Sequence, residues 1–288
     1  MLKKKKLVIL LLILLIFLLL FLYYNKSREQ FQNEEQSVTI VSAYYPVKSK
    51  RTTDKYIESI KNVWSQVSCN LVFFTNKELT PFIEDVRKNF KNKTKIFTLE
   101  LDEFEALKKY PEPFWKKQHE RDYENFHHSN ELYTIWFEKK EFVMKAIDNN
   151  PFNSEYFIWC DAGIRLDNDI LEKSKNLPFL INKIPQDKIL LLKIKDFSDK
   201  SIDTDFEKMR EYLNVGATVI PGSINAWKQF NREYDEMMQY YIETNRFAGK
   251  EQNIMTSMVI KNKDLYEMID IIQDDWSTLY YYLLGINK

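Results

Sequence analysis

The chain has 288 residues with 42 basic and 42 acidic side chains, so its formal net charge at neutral pH is zero. Six of the basic residues and none of the acidic ones precede residue 29, which leaves a net charge of −6 on the remainder. This balance argues against nucleic acid as a partner, and the length suits one α/β domain with a sizeable core.

The N-terminal segment predicts a membrane anchor. Lys3 to Lys6 precede an apolar run, Leu7 to Leu22, that just spans a bilayer core at about 1.5 Å per residue. A cleaved signal peptide is the alternative, but no small-x-small cleavage site follows. The lysines place the N-terminus in the cytosol by the positive-inside rule. We expect residues 1–24 to form a cytosolic stub and signal-anchor helix, 25–36 a stem, and 37–288 the folded domain of a type II membrane protein.

Strand and helix patterns alternate in the first part of this domain. Val38 to Ala43, Leu71 to Thr75 and Lys95 to Leu99 are predicted strands, and apolar residues between them recur at helical spacing. Crossovers of this length favour parallel pairing. The pattern predicts an α/β fold with a Rossmann-like, mixed and mostly parallel sheet flanked by helices, preceded by one transmembrane helix.

Residues 101–130 interrupt the alternation with two prolines, many charges and all three histidines. We expect a solvated lid or loop. A metal site built from His119, Asp122 and His127 is an alternative, although their spacing fits no established ligand pattern.

A helix is predicted from Leu132 to Ile147, and Lys140 falls on its inner face. Its ammonium either snorkels to the edge of the core or binds a phosphate. Cys69 and Cys160 lie beside or within predicted strands, where buried free thiols are expected.

The most informative segment is Tyr156 to Gly163, in which five apolar residues run into a single carboxylate, Asp161. Such a run is typical of a strand buried on both faces of an α/β sheet, and its carboxyl end is where these folds bind ligands. The alternative is that Asp161 and Gly163 only form the turn that ends the strand.

Two further strands are predicted in the second half, at Ile189 to Ile194 and Val215 to Ile220. Pro221-Gly222-Ser223 is expected to end the latter and to cap a long helix with an aromatic core face. Further helices are expected to open at Gly249 and at Asp274, and the last one to end at Gly285.

Four segments resemble the HtrL/YibB family: Val38 to Tyr45, Tyr156 to Arg165, Asn214 to Ser223 and Gly249 to Asn253. The resemblance covers nearly all of the domain. The family is similar to GT-A glycosyltransferases, which join a nucleotide-binding N-terminal half, a central acidic motif and an acceptor-binding C-terminal half. A GT-A-like fold and a nucleotide-sugar donor are therefore implied.

The resemblance implies roles for the candidate site residues. Donor binding is expected of Ser42, Ala43, Tyr44, Arg51, Lys140, Gly163 and Gly216. Gly216 allows close approach of a ligand, or is a tolerated core glycine. Catalysis is expected of Asp161 and Glu251, and Glu251 opens a helix where it acts as base on the acceptor hydroxyl or only complements the helix dipole.

The implied cofactor is a divalent cation, Mn²⁺ or Mg²⁺, which Asp161 would hold against the diphosphate of the donor. GT-A enzymes usually carry Asp-x-Asp, and here Gly163 occupies the third position. No histidine follows His128 as a further ligand. The sequence therefore leaves the metal requirement open.

The sequence thus predicts a membrane-anchored glycosyltransferase acting on a glycan or glycoprotein. Its topology and the supply of nucleotide sugars favour the Golgi or ER lumen. The alternative is a non-catalytic, membrane-tethered glycan-binding or assembly protein with a degenerate fold. A nucleotidyltransferase is less compatible, because the loop after the first strand contains no glycine.

Overall fold

The computed structural model describes residues 15–24, 26, 38–175, 179–204 and 214–286. Residues 15–24 are helical and their side chains are exposed. Within the described ranges, no helix is both long enough and apolar enough to cross a bilayer. The predicted anchor and stem, residues 1–36, lie largely outside the described residues, so both stay predictions.

The described strands are β1 (Val38–Ala43), β2 (Leu71–Thr75), β3 (Thr94–Thr98), β4 (Tyr156–Cys160), β5 (Ile189–Lys193), β6 (Val215–Gly216), β7 (Val219–Ser223) and β8 (Tyr266–Asp270). The described α-helices of the domain are α1 (Thr53–Trp64), α2 (Thr80–Val86), α3 (Glu105–Lys109), α4 (Glu112–Arg121), α5 (Asn130–Asn149), α6 (Asn168–Ser174), α7 (Ile224–Glu243), α8 (Glu251–Lys261) and α9 (Thr278–Leu283).

The strands form two sheets. The larger has the order β3-β2-β1-β4-β7, and all neighbours are parallel except β4 and β7. The smaller has the order β6-β5-β8, with β5 parallel to β8 and antiparallel to β6. The predicted mixed, mostly parallel sheet is confirmed, but Ile189 to Lys193 belongs to the smaller sheet.

Both faces of the larger sheet are covered, which is why β1, β2 and β4 consist mostly of apolar residues. Val41 and Trp159 point into a core shared with α5, α7 and α8, whereas Ile40 and Ile158 point into a core shared with α1 and α9. Successive side chains of a strand point to opposite faces of the sheet, so each of these strands contributes side chains to both cores.

The predicted strand at Val215 to Ile220 is wrong in its extent. The segment divides into β6 and β7, which lie in different sheets, and β7 continues through Pro221 to Ser223. Pro221 is tolerated because β7 is an edge strand of the larger sheet, where a missing N–H need not break a ladder. Ser223 caps α7 as predicted, since its hydroxyl accepts from the Ala226 N–H.

Residues 101–130 do not form the expected loop. They carry α3 and α4, and Phe104 and Trp115 are buried in the core. The carboxylate of Glu138 on α5 accepts hydrogen bonds from the N–H groups of Glu105 and Ala106, at 3.2 and 2.9 Å, at the first turn of α3. Most residues of this segment are polar, so its pattern did not indicate that these two aromatic side chains complete the core.

Two further differences lie near the C-terminus. Strand β8 was not predicted, and the last helix begins at Thr278 with Ser277 at its N-cap, not at Asp274. Gln273 and Asp274 instead have left-handed backbones, with φ of 51° and 55°. Cys69 and Cys160 are buried thiols that form no disulfide, as predicted.

Candidate functional site

An open cleft of about 660 Å³ lies at the carboxyl ends of β1 and β4. Strands β2 and β3 lie on one side of β1 and β4 lies on the other, so the strand order reverses here. Open α/β sheets bind ligands at such a switch point. Most of the cleft is lined by residues 43–51, one face of α5, residues 159–165 and residues 273–277.

The end of β1 presents two of its three predicted donor residues to the cleft. Ala43 and Tyr44 line it, and the ring of Tyr44 lies 5.2 Å from that of Tyr56. Burial raises the pKa of Tyr44, which keeps its hydroxyl protonated. Ser42 is not part of the lining, because its buried hydroxyl donates to the Cys160 carbonyl at 2.7 Å and joins β1 to β4.

Arg51 lines the cleft, but its guanidinium is committed to protein groups. It donates to the Gly163 carbonyl at 2.6 Å and also to the Lys55 carbonyl and the Ser59 hydroxyl. Its centre lies 4.9 Å from the centre of the Tyr56 ring. Burial lowers the pKa of Arg51. Arg51 therefore ties the loop after β1 to α1 and to the turn after β4.

Gly163 occupies the position where an Asp-x-Asp motif would have its second acid. A Cβ atom there would lie 2.5 Å from the Tyr56 ring and 3.0 Å from Nη1 of Arg51. The packing of Tyr56 and Arg51 over this turn therefore requires glycine, and it accounts for the missing carboxylate.

Asp161 faces the cleft at the end of β4. Its Oδ1 accepts from the Trp159 indole N–H at 2.8 Å and lies 2.9 Å from Nζ of Lys139, while the side chain stays 36% exposed. The turn itself is closed by backbone, with Ile164 N–H donating to the Asp161 carbonyl at 3.0 Å. The carboxylate is thus held by side chains, which argues against a role limited to forming the turn.

Lys139 links Asp161 to the second predicted catalytic residue. Its ammonium donates to Glu251 Oε1 at 2.9 Å and to the Ala217 carbonyl at 3.3 Å. Glu251 is the first residue of α8 and is 5% exposed. Its Oε2 is buried and has no hydrogen-bond partner among the described residues. Lys139 lines the cleft, whereas Glu251 lies behind it and is not part of the lining.

The charge of Lys139 is set by these neighbours. Burial alone would lower its pKa, but the carboxylates of Asp161 and Glu251 outweigh burial and hold the pKa above its ordinary value. The site therefore contains a permanently charged ammonium between two acids.

The structure places the other two predicted donor residues elsewhere. Lys140 lies 2.9 Å from Asp235 and donates to Asn231 at 2.8 Å, in a polar cluster that does not line the cleft. Gly216 is also outside the lining, and a Cβ atom there would lie 2.9 Å from the Leu192 side chain. The buried Lys140 ammonium pairs with a carboxylate, and Gly216 packs against the neighbouring strand, so neither residue contacts the cleft.

The chain offers few ligands to a divalent cation. Among the described residues, no group of three or more His, Cys, Asp or Glu side chains could hold a metal. Asp161 Oδ1 already accepts from two donors, which leaves Oδ2 for a ligand. Mg²⁺ commonly binds through one carboxylate together with substrate phosphates and water. The residues therefore fit a cation that arrives with a diphosphate, not a preformed protein site.

The alternative metal site at His119, Asp122 and His127 does not form. Asp122 accepts from Nδ1 of His128 at 2.8 Å and from the Tyr133 hydroxyl at 2.7 Å. Burial would raise the pKa of Asp122, but these hydrogen bonds hold it well below its usual range. The carboxylate is thus used to fix the turn after α4 against α5.

Sequence reasoning missed Lys139 and assigned its role to Lys140. The signal was present, because Leu132, Ile135, Trp136 and Lys139 all line the cleft and follow the i, i+3, i+4, i+7 spacing of one helix face. That face shares Leu132 and Trp136 with the predicted inner face but includes Lys139 in place of Lys140. The segment 273–277, which lines the opposite wall, was also missed.

The fold and the cleft define an α/β protein with a ligand site at the switch point of a mostly parallel sheet. Residues 36–283 match a family model described as a bacterial protein of unknown function, HtrL_YibB. Since this match spans most of the chain, the chain belongs to the HtrL/YibB family, and the resemblance is confirmed. No curated protein matches the sequence.

The solved structures that are similar to the chain include the following three. Mouse xyloside xylosyltransferase 1, in its apo form, has 10% identity, coverage of 85% of this chain and 90% of that chain, and a TM-score of 0.48. The mannosyltransferase Ktr4p from S. cerevisiae has 11% identity, coverage of 82% and 69%, and a TM-score of 0.47. Core-mannan synthase A from Aspergillus fumigatus, in an Mn/GDP form, has 8% identity, coverage of 87% and 86%, and a TM-score of 0.48. These identities and TM-scores are too low for the activity of any of the three proteins to be assigned to this chain.

Proposed function

We propose that the protein is a glycosyltransferase that moves a sugar from a nucleotide-sugar donor to a hydroxyl group of a glycan or glycoprotein. The position of Asp161 carries this proposal. Its carboxylate ends a buried strand, lines a cleft at the strand switch point, and is fixed by Trp159 and Lys139. A carboxylate held in this way is suited to binding a charged ligand in a defined orientation.

The cleft carries both kinds of surface that a nucleotide-sugar requires. Tyr44 and Trp136 line it with aromatic rings, which suit the base and the sugar. Arg165 and Lys139 line the same cleft; the exposed charge of Arg165 suits a diphosphate, whereas the Lys139 ammonium is already paired with Asp161 and Glu251. Donor binding across the ends of β1 and β4 follows from this arrangement.

Transfer breaks the bond between the anomeric carbon and the diphosphate oxygen and forms a bond from the acceptor hydroxyl. Negative charge then develops on the departing nucleoside diphosphate. Lys139 lies beside the site and stabilises this charge, and Asp161 would hold the Mn²⁺ or Mg²⁺ ion that supplies further neutralisation when bound. The hydroxyl proton passes to a base, the role that the sequence predicted for Glu251.

The second candidate is a non-catalytic glycan-binding or assembly protein. Gly163 is the observation that favours it, because an Asp-x-Asp motif is incomplete. Such a protein would bind a glycan in the cleft without binding a nucleoside diphosphate, and this difference separates the two candidates.

We further propose that residues 1–24 anchor the protein in a membrane, on the basis of the lysine-flanked apolar run. A Golgi or ER lumen supplies nucleotide sugars to a domain facing away from the cytosol, whereas a bacterial periplasm does not. In a bacterial host, donor supply would require the domain on the cytosolic side. Protease digestion of sealed membranes decides the topology: protection supports the predicted orientation, and cleavage of the domain from the cytosolic side contradicts it.

A thermal-shift panel tests the proposed activity at its first step. The purified protein is melted with each common nucleoside diphosphate, with and without Mn²⁺, beside an Asp161→Asn variant. A nucleotide present at 100 times its Kd should stabilise the wild type by about 2.7 kcal/mol and raise its Tm by several degrees. The variant should show a smaller shift. Binding of a glycan with no shift from any nucleotide would favour the non-catalytic candidate.

A further inference from the structure

Three acceptor atoms surround the Lys139 ammonium. These are Asp161 Oδ1 at 2.9 Å, Glu251 Oε1 at 2.9 Å and the Ala217 carbonyl at 3.3 Å. Lysine side chains are ordinarily flexible, so three acceptors fix both the position and the direction of this one. Asp161 is in turn fixed by Lys139 and by the Trp159 indole.

Glu251 is placed to act on Lys139. Its carboxylate is 5% exposed and does not line the cleft, and its Oε1 accepts a hydrogen bond from the ammonium. A general base must come within hydrogen-bond reach of the hydroxyl it deprotonates. The Lys139 side chain, which does line the cleft, stands between Glu251 and that space.

We propose that Glu251 is a positioning residue that holds Lys139, and through Lys139 orients the Asp161 carboxylate, so that its free oxygen would hold the divalent cation of the donor diphosphate. This inference rests on the proposed function for the identity of the ligand. It replaces the acceptor-base role predicted for Glu251 and makes Lys139 and Asp161 the groups that face the donor.

The two roles of Glu251 lead to different measurements. A positioning residue should change the binding of the nucleoside diphosphate, because Asp161 and Lys139 are misaligned without it. Residues that orient ligand-binding side chains typically change affinity by about 10- to 100-fold. A base acting on the acceptor should lower turnover and leave nucleotide affinity unchanged.

The first experiment needs no ligand. Six indole N–H signals are expected in an NMR spectrum of the ¹⁵N-labelled protein, and Trp159→Phe assigns the signal of Trp159. Because this indole donates to Asp161, Glu251→Gln should shift its signal. Glu243→Gln, at an exposed position near the end of α7, is the matched control and should leave the signal unchanged. An unmoved Trp159 signal in Glu251→Gln would overturn the inference.

The second experiment measures nucleotide affinity by calorimetry, using the nucleoside diphosphate that stabilises the wild type most. Glu251→Gln should weaken binding about 10- to 100-fold, and its effect should be absent in an Asp161→Asn background. If Glu251→Gln loses turnover but keeps its nucleotide affinity, Glu251 is the base predicted from the sequence and not a positioning residue. If the wild type binds no nucleoside diphosphate, the proposed function fails, and the indole signal still decides the positioning role. If Glu251→Gln does not fold, Glu251→Asp, which retracts the carboxylate and keeps its charge, is measured instead.

Discussion

The Lys139 ammonium on α5 lies 2.9 Å from the carboxylate of Asp161 at the end of β4. The ion pair crosses from a helix to a strand end at the wall of the cleft. It shows that the acid recognised in the sequence is one member of a charged group that includes Glu251.

Asp161→Asn should abolish donor-dependent transfer and leave the fold intact. The amide keeps the size of the side chain but loses the negative charge that a cation or the diphosphate site requires. Tm should move little, because the side chain is 36% exposed and Lys139 retains Glu251 as a partner. Turnover and Tm of one purified variant check this, and wild-type turnover would remove Asp161 from the mechanism.

Lys139→Met should destabilise the domain by about 3 to 5 kcal/mol, the range for removing one partner of a buried ion pair. The cause is Glu251, whose buried carboxylate would lose its cation. Adding Glu251→Gln should recover part of this loss, because no uncompensated buried charge remains. Urea unfolding of the two single variants and the double variant measures the coupling, and strictly additive losses would contradict it.

Glu138 should make stability fall as pH rises. Burial raises its pKa to about 6 from 4.5, so the folded chain binds a proton that the unfolded chain releases. The stabilisation is complete below pH 4.5 and is lost as pH rises through about 6, by up to about 2 kcal/mol. Glu138→Gln should flatten this slope in the free energy of unfolding, whereas the exposed control Glu243→Gln should preserve it.

Gly163→Ala should cost about 1 to 3 kcal/mol, because its Cβ atom would lie 2.5 Å from the Tyr56 ring. The same change in a Tyr56→Ala background should cost less, since the ring is gone. Unfolding free energies of the four proteins in this cycle measure the interaction. An equal cost in both backgrounds would show that the ring is not what requires glycine here.

The parts of the fold that could be predicted are those whose sequence pattern is compatible with only one kind of secondary structure. Strands β1 and β2 were predicted to the residue, because both are short runs rich in β-branched or aromatic residues. Strand β8 was missed because Tyr266 to Asp270 mixes polar and apolar residues at the edge of a small sheet. Its pairing with β5 is a long-range contact that no local pattern encodes.

The candidate site could be predicted only in part for a related reason. Asp161 could be identified because it directly follows β4, and α/β folds bind ligands at the carboxyl ends of their strands. The choice between Lys139 and Lys140 depends on how α5 is rotated against the sheet, and one residue corresponds to about 100° of rotation. Both lysines are buried and both bind carboxylates, so composition cannot separate them.

The reactivity of the two buried thiols can report local opening of the fold. Burial raises the pKa of Cys160 well above its ordinary value, and both thiols belong to the core that packs against α1 and α9. A thiol reagent can react with either one only when its surroundings open. Labelling rates at the two positions, followed with and without nucleotide, would measure how far ligand binding at the end of β4 suppresses the opening of this core.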